Sequence, residues 1–557
     1  MTIIKHEIRR GAYYDSVVLM QLQRGLLTLP DVLDAGVVMA TQANCDLLDA
    51  NQLLPASVAS SPDDLLVVVK AVSDSAASDA LRQVDALLAK RRTSTTEDFR
   101  PRSLSAAAKQ LPEANWVLIS VPGRYAAGVA REALELGKNV FLYSDNVSLE
   151  DEIALKTSAW EKGLLVMGPD CGTAIINGIG LGFANRVRRG DIGVIGASGT
   201  GTQAVTAQIH NLGAGISHAI GTGGRDLKSD VGAITAHQAL DLLARDDETK
   251  VIVLVSKPPS PEVAISLISA AQRAGKPVVV YFIGYPPPAR KIGNLHFAIS
   301  LSEAAELAVE IRNWKPETKS QVSSLYLRGL FSGGTLAYET LLGLQSFLSP
   351  IYSNAPITNY QLLKDPLKSE AHSIIDLGDE FFMVGRLHPM IDNDLRIRRM
   401  KQEADDSEVG MILFDVVLGE GSHLDPAGEL VPVIKEMREK RLETGDLEFV
   451  AMVIGTDDDP QNLESQVSQL QDAGVTVFRT AAEAVEYISL RFSVSKKNDF
   501  TPVNLEQLKQ PLAAVNVGLE SFYDSLISQG AQAVHVEWRP PAGGNEKLAS
   551  LLARMKK

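Results

Sequence analysis

One pattern constrains this chain more than any other, because it is written twice between residues 191 and 491. The first copy reads GVIGASGTGTQAV, HAIGTGGRD, KVIVLVSKPPSPEVA, KPVVVYFIG and LHFAISLSEAAELAVEI. The second reads LYLRGLFSGGTLAYE, SIIDLGDEF, GMILFDVVLGEGSHLDPAGEL, LEFVAMVIG and VTVFRTAAEAVEYI. Each copy alternates short apolar runs with helical patterns, and glycine follows the strand. Runs that are apolar on both faces and separated by helices predict parallel strands buried between helix layers. A repeat on this scale predicts one unit built twice. The expected fold class is therefore α/β and multidomain, with two tandem flavodoxin-like units at 191–318 and 319–493, joined through the polar stretch KPETKSQVSS. Upstream, 99–190 carries a partial Rossmann-like pattern with strands at Trp116–Val121, Asn139–Leu142 and Leu164–Met167. Residues 1–98 read as a small α/β domain containing the apolar run Leu65–Val69. Downstream, 494–557 reads as a small C-terminal α/β docking module, with strands at Val515–Val517 and Ala533–Trp538, a PPAGGN turn and a last helix.

The chemistry concentrates in the glycine turns. Gly196-Ala-Ser-Gly-Thr-Gly201 follows a strand and opens a helix, so its backbone can approach a ligand closely while unpaired N–H groups and the helix dipole converge on one spot. Ser198, Gly199, Thr200 and Gly201 are candidate phosphate ligands, and Ser332, Gly333, Gly334 and Thr335 are their equivalents in the second copy. A helix cap alone would also select Ser and Thr, but two such turns at matching positions of a duplicated unit favour an anion site, with the two helix N-termini facing each other. No Lys follows the glycines, so neither turn is a nucleotide P-loop. Gly223, Gly224 and Arg225 of GTGGRD, and Lys257 after the strand Val251–Val255, are candidate substrate-binding groups, since ligands of doubly wound sheets lie outside the carboxyl ends of strands. In Gly385-Arg-Leu-His-Pro-Met-Ile-Asp392, Arg386 suits a carboxylate and His388 suits proton transfer or carbonyl polarisation, which makes them the candidate catalytic pair.

Composition bounds the partners. A formal net charge of −14 over 557 residues argues against nucleic acid or an anionic membrane surface. The residues Met1–Met20 form no signal peptide, and no apolar run is long enough to span a bilayer, so a cytoplasmic location is expected. Two cysteines, Cys45 and Cys171, support neither a disulfide framework nor a cysteine-rich metal site, and Asp457-Asp-Asp459 reads as a solvated acidic loop, so no metal is expected.

The runs VPGRY (121–125), MGPDCGT (167–173), GVIGASGTG and GTGGRD resemble the succinyl-CoA synthetase α subunit, and FSGGTLAYE with IIDLGDEF resembles the carboxyl half of its β subunit. With SDNVSLEDEI, VSKPP, GRLHPMID and WRPPAGGN added, the chain is similar over nearly its whole length to the FdrA family. The resemblance implies the synthetase scaffold without its ATP-grasp domain. It also implies a subunit of an oxamate carbamoyltransferase of allantoin and purine breakdown, working with two further subunits to convert oxalurate and phosphate into oxamate and carbamoyl phosphate. Phosphate and carbamoyl phosphate are then substrates and no cofactor is required. CoA is doubtful, because Leu65–Val69, taken as the counterpart of the first CoA-domain strand, runs into the glycine-free KAVSDSAASDA. His296 lies near the place of the synthetases' phosphorylated histidine, but in LHFAIS. The alternatives are a component of a nucleotide-forming acyl-CoA ligase and a non-catalytic scaffold that senses an anion.

Overall fold

The run Leu65–Val69 lies in the middle of an antiparallel sheet, not in a Rossmann sheet. In the computed structural model, which describes residues 2–12, 16–54, 60–61, 64–89, 100–313, 325–356, 361–441, 447–492 and 501–540, the strands run Ile3–Arg9, Leu65–Ala71, Val32–Met39 across that sheet, both outer strands antiparallel to the central one. Leu65, Val67 and Val69 pack against Leu22, Leu26 and Ala80 on one face, and Leu66 and Val68 meet Leu48 and Leu53 on the other. Two-sided burial explains the unbroken apolar run just as well as a parallel sheet would. The strand is therefore not the counterpart of a CoA-domain strand, and the doubt about CoA drawn from its following loop loses its basis.

The chain forms two compact units. The first comprises Met1–Gly172, Ile179–Phe183 and Glu506–Lys557, the second Thr173–Gly178 and Ala184–Leu505. Besides the N-terminal sheet, the first unit holds a five-stranded parallel sheet in the order Gln532–Val536, Ala513–Val517, Trp116–Ile119, Asn139–Leu142, Val166–Met167. Its first two strands come from the tail. Residues 494–557 are thus no separate docking module: Val515 and Val517 share one core with Val117, Ile119, Val140 and Leu142. Trp538 is partly buried against Tyr125, with ring centroids 5.5 Å apart. Pro541–Asn545 of the PPAGGN turn and the last helix lie outside the described residues.

The second unit contains both copies of the repeat. In the first copy the strands Leu295–Phe297, Val278–Phe282, Val251–Ser256, Arg189–Ala197 and Ile216–Gly221 lie parallel in that order, with Lys291–Ile292 and Thr173–Ile176 antiparallel at the two sides. In the second, Ile351–Ser353, His372–Asp376, Tyr326–Phe331, Val409–Val417, Glu448–Ile454 and Thr476–Phe478 are parallel throughout. Numbered by chain order within each repeat, both follow the flavodoxin arrangement 2-1-3-4-5, the second with one added edge strand. This order reverses direction between strands one and three, the place where doubly wound proteins bind ligands. The two sheets are joined by a hydrogen bond between Tyr285 OH and Ser346 Oγ (2.6 Å) and by one from Gly293 N to Glu486 Oε1 (2.8 Å). Ser346 lies beyond the carboxyl end of the helix Gly334–Leu344, whose 11 residues span about 16 Å. The helix therefore meets the first repeat with its carboxyl end, and the Gly334 turn stands at the other. No helix among the described residues is long and apolar enough to cross a membrane.

Candidate functional site

In the second repeat the switch point lies between the strands Tyr326–Phe331 and Val409–Val417, and there the structure ties a knot of charge beneath the glycine turn. Asp415, fully buried, accepts hydrogen bonds from both the N–H and the Oγ of Ser332 (2.8 Å each). Arg396 answers it with Nη2 at 2.9 Å from the carboxylate and Nη1 at 2.6 Å from the Asp415 carbonyl. A buried carboxylate survives only when paired and hydrogen-bonded in this way. Ser332 was a candidate phosphate donor, but its hydroxyl points inward and is consumed by Asp415. Its part is to hold the turn.

Above that knot the helix Gly334–Leu344 starts with Gly333 as its N-cap and no side-chain cap, so its first N–H groups have no capping acceptor from the chain itself. A Cβ on Gly334 would stand 2.8 Å from Asp376 Oδ2, which explains the glycine by close approach. Asp376 ends its strand, and its Oδ1 accepts the N–H of Gly378 at 2.9 Å. Burial raises its carboxyl pKa, and the charges of Asp379 and Asp415 raise it further, against the opposing pull of the Gly378 N–H and His388. The GRLHPMID loop folds over the same place. His388 Nδ1 accepts the N–H of Met390 at 3.2 Å, which leaves the proton of the neutral ring on Nε2. That Nε2 lies 3.2 Å from where a Cβ on Gly378 would be. The structure thus brings Gly333, Gly334, Thr335 and His388 together and adds Asp376, which sequence reasoning did not single out. Arg386 is exposed, its N–H closing a turn on the Met383 carbonyl.

The first repeat's candidates also gather at one carboxyl edge. Ser198 caps its own helix by accepting the N–H of Gly201 (3.3 Å), and Thr202 Oγ1 donates back to the Ser198 carbonyl (2.7 Å). Gly199 and Thr200 are exposed. The second turn is stitched to the first by Thr222 N donating to Gly196 O (2.9 Å). Gly223 takes the left-handed φ of +89° that the turn demands. The neighbouring Gly224 is half-buried, and Arg225 and Lys257 are exposed. Asp226 is buried and caps the helix Ile234–Arg245 through the N–H of Ala236 (2.9 Å). His296 sits on a short strand paired with Val278–Phe282, and burial lowers its pKa, so it is held neutral inside the sheet.

Comparison with known proteins agrees with this architecture. Residues 330–490 match the CoA-ligase family model, 187–284 the CoA binding domain and 1–102 the AllF, heavy metal-associated domain. The protein YahF of Escherichia coli (strain K12) is 41% identical over 490 residues, covering 85% of this chain and 95% of that protein. The chain belongs to the succinyl-CoA synthetase-like superfamily. Within that superfamily, the α subunit 2 of the ADP-forming succinate–CoA ligase of Archaeoglobus fulgidus is 30% identical over 190 residues. That match spans 33% of this chain and 63% of the subunit. Among solved structures, the ATP citrate lyase from Methanothrix soehngenii, in complex with citrate and coenzyme A, covers 81% of each chain at 14% identity and a TM-score of 0.31.

Among the described residues the heavy metal named by the N-terminal family model finds no ligand set. Residues 1–102 contain one cysteine, Cys45, and one histidine, His6. Among the described residues no three His, Cys, Asp or Glu side chains gather to hold an ion.

Proposed function

We propose that this chain is the acyl-phosphate-handling subunit of a succinyl-CoA-synthetase-type enzyme. The observation that carries the reading is the uncapped start of the Gly334 helix at the switch point, flanked by the Nε2–H of His388 and the carboxyl of Asp376, whose pKa burial raises. Backbone N–H groups and the helix dipole receive the phosphoryl oxygens. His388 donates to an oxygen on which charge develops as a phosphate oxygen joins the acyl carbon and the leaving group departs. Asp376, whose carboxyl pKa is raised by burial, sits beside the anion at a lower cost in repulsion than an ordinary aspartate.

Relatives named as ADP-forming CoA ligase subunits support a ligase-type cycle. In this reading nucleotide comes with a partner chain. A second reading is favoured by the AllF match at the N-terminus. In that reading the chain is a cytoplasmic member of the FdrA family, and the acyl phosphate is carbamoyl phosphate exchanged with oxamate in a complex of two further subunits. The test is calorimetric titration of the full chain with inorganic phosphate, acetyl phosphate and carbamoyl phosphate. Wild type is expected to bind at least one, and Gly334→Val to bind it at least tenfold more weakly with unchanged circular dichroism. Equal binding by wild type and Gly334→Val overturns the reading. Turnover with co-expressed partners separates the two versions: ADP- and CoA-dependent consumption of an acyl phosphate marks a ligase, oxamate-dependent consumption of carbamoyl phosphate a carbamoyltransferase.

A further inference from the structure

The tail strands do more than complete a sheet, because they wall a cavity. Ser120, Tyr143 and Leu519 stand at or just past the carboxyl ends of the strands Trp116–Ile119, Asn139–Leu142 and Ala513–Val517. Together with the exposed Asp145 and Asp170 they line a crevice of about 600 Å³ roofed by Leu19, Met20, Val38 and Met39 of the N-terminal domain. This is the size range of small-molecule sites. The CoA binding domain match lies at residues 187–284, outside this lining, so coenzyme A is a test case here and not an expectation.

Its chemistry points elsewhere. Among the described residues no Lys, Arg or His lines it. Three guanidinium groups of the same unit have partners: Arg100 with Glu520 (2.7 Å), Arg539 with Glu537 (2.7 Å), and Arg124 over the ring of Tyr125 (4.9 Å). The helix that opens beside Leu519 carries Glu520 in its first turn, where a pyrophosphate would need positive charge. Four neutral polar side chains of the lining already have partners within the chain. Ser144 Oγ donates to Val121 O (2.6 Å), Ser120 Oγ accepts from Leu519 N (2.7 Å), and the amides of Gln23 and Asn44 donate to backbone carbonyls (2.8 Å each). What remains is acceptor-rich. Among the described residues the carboxylates of Asp145 and Asp170 have no hydrogen-bond or ion-pair partner. Beside them Tyr143 packs edge-on against Phe183 (5.3 Å) and Phe522 (4.9 Å). Burial, Asp145 and Asp170 all raise the Tyr143 phenol pKa, which shows both carboxylates acting on the same spot.

We propose that this crevice binds a compact organic ammonium ion and not coenzyme A. The cationic head sits between Asp145 and Asp170 against the aromatic cluster, and the apolar body lies under Leu19 and Met20. This assignment stands apart from the phosphate site of the second unit, so phosphate titration of the same preparations shows which of the two has failed.

The experiment is calorimetric titration of the full chain with benzylammonium, with benzoate as the same body of opposite charge, and with coenzyme A. Benzylammonium is expected to bind saturably, while benzoate and coenzyme A give no saturation at about 1 mM. The double variant Asp145→Asn/Asp170→Asn, which breaks no contact in the protein, should weaken benzylammonium at least tenfold with an unchanged melting curve. Met20→Trp, which fills the crevice from its roof, should weaken it too. Micromolar binding of coenzyme A, benzoate binding as well as benzylammonium, absence of benzylammonium binding, or indifference to the Asp145/Asp170 replacement would each overturn the proposal.

Discussion

Replacing Asp415 with alanine tests whether the knot under the second glycine turn holds that repeat together. The change strands Arg396, which is 2% exposed, without its carboxylate, and releases the N–H and hydroxyl of Ser332. Removing one partner of a buried ion pair costs about 3–5 kcal/mol, because the other charge stays desolvated. Each hydrogen bond to a charged group is worth about 1.5–3 kcal/mol, though these losses overlap and do not add. An expected destabilisation of about 4 kcal/mol corresponds to roughly thousandfold faster local opening. Hydrogen exchange read by mass spectrometry on peptides covering Val409–Val417 and Gly334–Leu344 measures that opening directly, which matters because several domains do not unfold as one two-state system. The double replacement Arg396→Met/Asp415→Leu should recover about 2 kcal/mol, since it removes the stranded charge and leaves only the Ser332 groups unpaired. Protection in Asp415→Ala within threefold of wild type would refute the reasoning, as would a double variant less protected than the single one.

Further outcomes are expected. Burial holds His372 at about 4, with Arg328 pushing the same way, so the ring is neutral when folded and the unfolded chain protonates first as pH falls. The contribution of this group is intact above pH 6.5 and lost progressively down to pH 4, about 3 kcal/mol in all. Thermal melts of His372→Gln should therefore fall less steeply across that window than those of wild type. Asp376 carries the opposite sign. Its raised pKa favours the folded state in acid and loses that advantage as pH rises, so Asp376→Asn should melt higher than wild type at neutral pH, with the gap closing as the medium is acidified. Val515→Asp places an unpaired carboxylate in the core that Ala513–Val517 shares with Trp116–Ile119. Limited proteolysis should then cut within 100–172, whereas a mere docking module would leave that segment protected.

The repeat, its strand order class and the position of both glycine turns are legible in the sequence because each signal is local: glycine after an apolar run, then a helix that starts with a small or hydroxylated residue. Three features were not. Leu65–Val69 reads the same whether helices cover a parallel or an antiparallel sheet, since periodicity reports burial and not the direction of the neighbour. The pairing of Ala513–Val517 with Trp116–Ile119 leaves no trace in either run, because each is apolar on both faces and would suit a sheet of its own. The inward turn of Ser332 is set by Asp415, 83 residues away. That partner was nonetheless visible as a lone carboxylate inside the apolar run MILFDVV, a residue type that a buried strand tolerates only with a partner.

The sheet that borrows its strands from the tail also sets a timetable for synthesis. Trp116–Ile119 leaves the ribosome 394 residues before its neighbour Ala513–Val517 is made, from 513 minus 119. At about 5–20 residues per second that is a wait of roughly 20–80 s, while each repeat of the second unit has all its strands within reach of one another. Folding in the cell is therefore inverted with respect to chain order in this part of the molecule. The early strands keep an open apolar edge until the last tenth of the chain arrives, and the crevice is the final thing to be assembled. A nascent chain interrupted before residue 513 would carry finished glycine turns beside an unfinished sheet, the kind of exposed edge that holdase chaperones and proteases recognise.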